Sequence, residues 1–281
     1  MSKQNIYDAV NERIIAKIKE GVAPWRKTWA GGLLPHNYDG RQYHGVNVLL
    51  LSMTEFENPI FMTYKQAQEA GGQVKKGSKG TKVVYFNVLQ KEDKNGDIDK
   101  IPFMKQYTVF NIAQIEGLEL PDFASHHSIM NDNERISLCE GVVQNMQNAP
   151  KIEENKGNNC LYNALNDIVK MPLIEEFESS EEYYCNLFHE LAHSTGHKDR
   201  LDRKEVSALG RTKTDYAKEE LVAEITAAFL CATTGIENKT IDNSASYLAS
   251  WLKVLKDNHK FFFQSAAKAQ KAADYILNQT K

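Results

Sequence analysis

The most restrictive stretch of this sequence is His189-Glu190-Leu191-Ala192-His193. Residues four apart share one face of an α-helix, so both imidazoles can reach a single ion. The glutamate between them can address a water held at that ion. Ser179 and Glu182 read as a capping box that opens such a helix through YYCNLFHELAHST. Catalytic zinc takes three protein ligands and keeps a fourth position open, so one more donor is required. A second predicted helix, EELVAEITAAFLCA, has Asp215 as its candidate cap and Gly235 as its stop. It carries Glu220 and Glu224 on one side, so one can bind the ion while the other steadies a histidine. Glu220 is read as the ligand and Glu224 as the outer partner. Glu219 is turned about 100° away and is expected in solvent. His197 extends the pattern, but eight residues of helix span about 12 Å, so it is read as a polar rim residue.

Four cysteines (Cys139, Cys160, Cys185, Cys231) lie far apart with no CxxC pair, which fits reduced thiols rather than a disulfide framework or a cysteine-based zinc site. The start, MSKQNIYDAVNERI, turns charged too soon for a secretory signal, and the longest apolar runs fall well short of the ~20 residues that span a bilayer. A cytoplasmic protein without a membrane partner is expected. The 281 residues suggest two domains, and hydrophobic residues at 42% exclude a disordered chain. The net charge of −3 hides an asymmetry. Up to Ser125 there are 16 Lys or Arg against 14 Asp or Glu; beyond it, 18 against 23. Residues 60–91 hold six lysines and one acid, Glu69, a local excess suited to an anionic ligand.

The first 117 residues read as a small α+β unit. Ile6, Val10, Ile14 and Ile18 mark an amphipathic helix that Gly21 and Pro24 stop. Thr63 and Gln66 form a capping box for a short helix ended by Gly71–Gly72. TKVVYFNVLQ and KQYTVFNI read as hairpin strands around Asn95–Gly96. Residues 121–134 read as a linker, followed by a mainly helical part containing helices around Trp251 and towards Leu277. Binding of single strands needs cations for phosphates and aromatic faces for bases. The candidates are Trp25, Arg26, Lys27, Arg41, Lys75, Lys76, Lys79 and Lys82, interleaved with Trp29, Tyr38, Tyr43, Tyr64, Tyr85 and Phe86. Alternate strand aromatics such as Tyr85 or Phe86 are equally readable as core.

Read together, NIYDAVNERIIAKIKEGVAPWRKTW, NYDGRQYHGVNVLLL, TYKQAQEAGGQVKKGSKGTKVVYF and YTVFNIAQIEGL resemble the N-terminal module of the ArdC antirestriction family. FHELAHSTGHKDRLDR, YAKEELVAEITAAFL and YLASWLKVLKDN resemble that family's zincin-like metallopeptidase domain. The second helix is also similar to the glutamate helix of ImmA/IrrE-type metallopeptidases, whose ligand is followed at +3 and +7 by alanine, as Glu220 is by Ala223 and Ala227. The resemblance implies an α+β ssDNA-binding domain over 1–125 and a mainly helical zincin-like domain over 126–281. It further implies one zinc per chain (or manganese or another divalent ion) on His189, His193 and Glu220, with Glu190 as the catalytic residue. The implied role is protection of incoming plasmid or other mobile-element DNA from host restriction. Two rivals remain: a strand-coating protein with a structural or vestigial metal site, and a regulatory protease acting on a repressor or restriction subunit.

Overall fold

The computed structural model describes residues 5–20, 32–92, 98–125, 130–157, 159–207, 212–237 and 245–279. Helix α1 (Ile6–Lys19) opens where the Asn5 side chain accepts the Tyr7 N–H, and its Val10, Ile14 and Ile18 are buried, as the four-residue spacing predicts. Strand β1 (His36–Asn37), α2 (Val46–Ser52), β2 (Ile60–Thr63), α3 (Tyr64–Glu69) and β3 (Gln73–Val74) follow. Thr63 and Gln66 form the expected capping box on α3. Strands β4 (Thr81–Glu92) and β5 (Ile98–Asn111) form a long antiparallel hairpin, with Thr81 opposite Val109 and Glu92 opposite Ile98. Asn95–Gly96 lies outside the described residues. The four-stranded sheet has the order β1-β2-β5-β4, which leaves β4 at its edge. β6 (Ile115–Glu116) pairs with β3.

The expected linker is partly structured. It contains α4 (Asp122–Ser125) and the start of α5 (Asp132–Asn145), where Asn131 and Glu134 build a capping box. A second departure is a small sheet in the region read as helical: β7 (Lys151–Glu154), β8 (Leu161–Asn163) and β9 (Ile168–Met171), in the order β7-β9-β8. Strands of three or four residues are too short to show a period of two. Then come α6 (Ser180–Ser194), α7 (Lys204–Ser207), α8 (Lys213–Thr234), α9 (Ala245–Asp257) and α10 (Phe261–Ile276). The cap of α8 is Thr212, not Asp215; Asp215 is its reciprocal partner three residues on. Gly235 ends α8 in a left-handed conformation (φ +75°), where a side chain would also crowd Met130.

The main apolar core runs through both halves of the chain. Val10, Ile14, Val48, Leu49 and Leu50 belong to the same cluster as Leu187, Leu191, Leu221, Trp251 and Phe262. Polar contacts reinforce the junction. The Asn11 amide donates to the His259 carbonyl at 3.0 Å, and the Gly45 N–H donates to Gln270 at 2.9 Å. Helix α8 is apolar almost all round from Leu221 to Ala232, as expected of a helix enclosed by its neighbours. Among the described residues, no helix is long and apolar enough to cross a membrane.

Candidate metal centre

Helix α6 starts where the Ser179 hydroxyl accepts the Glu182 N–H. Its Cys185, Leu187, Phe188, Leu191 and Ala192 are buried in the core, which fixes the orientation of the helix and presents His189 and His193 to α8. Their Nε2 atoms lie 3.1 Å apart. Glu220 reaches in from α8, with Oε2 at 3.5 Å from His189 Nε2 and Oε1 at 3.5 Å from His193 Nε2. A tetrahedral ion with bonds of about 2.0–2.1 Å separates its ligand atoms by roughly 3.3 Å. The two nitrogens and the carboxylate therefore fit one divalent ion in spacing as well as in chemistry.

The surrounding groups fix the rings. Glu219 is not in solvent, contrary to the sequence reading: it is 2% exposed, and its Oε1 lies 3.3 Å from His193 Nδ1. An ionised carboxylate only accepts, so Nδ1 carries the proton and the Nε2 lone pair is left available to an ion. Arg203 grips Glu219 through two nitrogens, at 3.0 and 2.6 Å, and donates to Thr195 Oγ1 and the Ala192 carbonyl. Burial alone would push the Glu219 carboxyl up; hydrogen bonds from His193 and Arg203, with the arginine charge, hold it down at about 2. Helical angle pointed Glu219 away from Glu220 correctly, but the loop carrying Arg203 covers that side. Gly196 lets the loop come close, because a Cβ there would overlap Val206.

Glu224 stands 3.7 Å from Nδ1 of His189, on the ring nitrogen opposite the donor cluster. Burial would lower the His189 pKa, but the hydrogen bond to Glu220 and the charges of Glu224 and Glu190 push it up to about 9. This carboxylate-rich setting favours positive charge, which a proton or a divalent cation supplies. Glu220 itself is held below the usual carboxylate range: burial opposes this, while His189, the charge of His193 and a hydrogen bond from Tyr216 outweigh it. Glu190 is 8% exposed, and its charge acts on both His189 and Cys160. His197 lies beyond the helix end, where its Nδ1 accepts the Asp199 N–H at 3.3 Å, outside the donor cluster. Sequence reasoning also missed Arg200. It joins the end of α6 to the new sheet by donating to the Ser194 carbonyl at 2.7 Å and pairing with Asp167 beside Tyr162.

The N-terminal candidates are spread out. Trp25, Arg26 and Lys27 lie outside the described residues. Arg41 is exposed and paired with Asp39. Lys75 donates to the Ala113 carbonyl at 2.9 Å and Lys82 to the Thr108 hydroxyl at 2.7 Å, while Lys76 and Lys79 are exposed around Gly77. Tyr85 and Phe86 are not core: they are 45% and 61% exposed.

Comparison with known proteins fits both halves. Residues 4–110 match the N-terminal domain of the anti-restriction factor ArdC, and residues 141–268 match a zincin-like metallopeptidase. The metal-free crystal structure of the antirestriction ArdC protein from plasmid R388 is 38% identical, covers 98% of this chain and 97% of its own, and superposes with a TM-score of 0.81. The chain belongs to the ArdC antirestriction family. A Mn(II)-bound structure of the same R388 protein, also 38% identical, gives a TM-score of 0.79 over 98% of each chain. An uncharacterised protein, y4eC, from Sinorhizobium fredii is 31% identical over 98% of this chain and 92% of its own length. A DNA primase, TraC, from Escherichia coli is 33% identical over 98% of this chain, which spans 27% of the primase. The donor geometry, the zincin-like match and the manganese-bound relative together support a divalent-ion site in this family member.

Proposed function

We propose that this protein is a cytoplasmic antirestriction factor with a zinc-dependent metallopeptidase site in residues 126–281 and single-stranded DNA binding by residues 1–125, protecting incoming mobile-element DNA from host restriction. The observation that carries the hydrolytic part is the triangle of His189, His193 and Glu220, with spacings of 3.1, 3.5 and 3.5 Å. These three residues hold the ion. When bound, it supplies Lewis acidity to a carbonyl oxygen and lowers the pKa of water. Glu190 takes the proton of the attacking water and hands it to the departing amine nitrogen. Glu219 and Glu224 keep the two imidazoles turned towards the ion, and Tyr216 steadies Glu220. The protein substrate is a component of the host restriction or regulatory machinery.

The strand-coating alternative is favoured by the exposed aromatics of β4, which serve stacking without any hydrolysis. Plasmid transfer into a restricting host separates the two. Loss of protection in Glu190→Ala, with ion uptake unchanged, supports hydrolysis. Full protection by that variant sinks it and leaves coating.

A further inference from the structure

A cleft of about 1100 Å³ opens between the outer edge of β4 and helices α1 and α10, and none of the three ion ligands lines it. Its walls come from both halves of the chain. Tyr85 and Tyr107 line it from one face of the hairpin and Phe86 from the other, and Tyr7, Lys260 and Phe263 line it from the helices. Tyr85 and Tyr107 meet edge to face at 5.9 Å, with both rings more than two-fifths exposed. On the helices, Tyr7 packs against Phe263 at 4.8 Å, and Lys260 Nζ lies 5.7 Å over the Tyr7 ring.

The walls are anchored to the core. The other face of α10, with Phe262, Ala266 and Ala269, is buried in the core. The Asn47 side chain clamps the Val84 backbone, accepting its N–H at 2.8 Å and donating to its carbonyl at 2.7 Å. That contact keeps β4 from pairing edge to edge with another strand.

Exposed aromatic faces on anchored elements suit flat rings. Of the cations on the walls, Arg41 pairs with Asp39 and Lys65 with Glu69, and Lys260 adds a further exposed charge that suits an anionic chain. Amide side chains at Gln42 and Gln264 match the mixed donors and acceptors of base edges. The volume exceeds the range of about 300–1,000 Å³ usual for one small ligand, so a run of nucleotides fits better than a single one.

We propose that this cleft is where single-stranded nucleic acid binds, and that the site is shared. Bases stack on Tyr85 and Tyr107 at one face of the hairpin and on Phe86 around its edge, while Lys260 on the C-terminal half holds phosphate. The inference rests on the strand-binding reading above and deepens it. Of the cations taken from the sequence, Arg41 lines the cleft; Lys75, Lys76, Lys79 and Lys82 do not.

The test is fluorescence anisotropy of the full-length protein with a labelled oligothymidylate at several salt concentrations, alongside Mn2+ uptake as a check on folding. Tyr85→Ala and Phe86→Ala, both at exposed positions, are each expected to weaken binding about tenfold. Lys260→Glu should weaken it and flatten the salt dependence, with Mn2+ uptake unchanged throughout. Wild-type affinity in both aromatic variants, with Lys76→Ala/Lys79→Ala losing binding instead, would place the strand on the lysine loop and overturn the cleft. Wild-type affinity and salt slope in Lys260→Glu alone would overturn the shared site. If the unaltered protein binds no oligonucleotide, the strand-binding reading itself falls, and the cleft goes to a protein partner.

Discussion

The ion site and the β4 cleft are built on opposite principles. Around His189 and His193 three carboxylates, buried or half-buried, are answered within a few ångströms. Glu219 meets Arg203 and His193, Glu220 meets both imidazoles, and Glu224 faces His189. In the cleft, Tyr85, Phe86 and Tyr107 are left facing solvent, and its cations lie on the surface. Burying charge is costly without partners, so a centre that must hold an ion in a fixed geometry needs a closed network. A surface that must accept a flexible polyanion needs open faces instead. Substitutions should therefore act sharply and locally at the first site, and gradually and additively at the second.

The largest effect is expected for Glu190→Gln. Peptide hydrolysis should fall by about 10²–10⁴-fold, because general acid–base transfer is lost. Ion content measured on the same sample should stay at the wild-type level; hydrolysis at the wild-type rate removes Glu190 from the chemistry. Next comes Arg203→Ala, which strands the buried Glu219 carboxylate and should cost about 3–5 kcal/mol in urea unfolding. The double variant with Glu219→Gln should recover part of this, and a double variant as unstable as the sum of its parts would show the pair is not coupled.

Glu219→Gln alone should weaken divalent-ion affinity by about 10–100-fold, read by calorimetric titration, since the His193 ring then faces a neutral amide in place of the charged acceptor that orients it. An unchanged affinity would assign Glu219 to stability alone. Acidity probes the same network. The folded-state pKa of Glu219 is depressed to about 2, so its contribution is full above the ordinary carboxylate pKa and is lost as the pH falls from roughly 4.5 towards 2. Unfolding experiments across that window should show the wild type losing more stability than Glu219→Gln; parallel curves would contradict the pairing. The smallest effect belongs to the exposed lysines. Replacing Lys76 or Lys79 by alanine should change the slope of strand affinity against salt by no more than about one unit each, and a larger change would make the lysine loop the principal site.

What was legible in the sequence was local. The His189–His193 pair, the capping box at Thr63–Gln66 and the apolar face of α1 each depend on residues within one or two helical turns, where spacing alone dictates geometry. That Glu220 and Glu224 share a helix face was readable from their spacing; the preference for Glu220 came from the resemblance to glutamate helices with alanine at +3 and +7. The environment of Glu219 was not, because it is set by a loop folding back from the end of α6. That loop turns at Gly196 and inserts Arg203 sixteen residues before its partner. Arg200 and Asp167 were hidden for the same reason: their pairing joins a short sheet turn to a helix end. On β4, composition could not say which aromatics face outward. That depends on β4 being the edge strand and on α10 arriving from the far end of the chain.

The most direct measurement is the divalent-ion content and affinity of the wild type beside Glu220→Ala and Glu224→Ala. About one ion per chain is expected in the wild type, none retained in Glu220→Ala, and one, bound more weakly, in Glu224→Ala. Wild-type ion affinity in Glu220→Ala would contradict the assignment of His189, His193 and Glu220 as the metal centre.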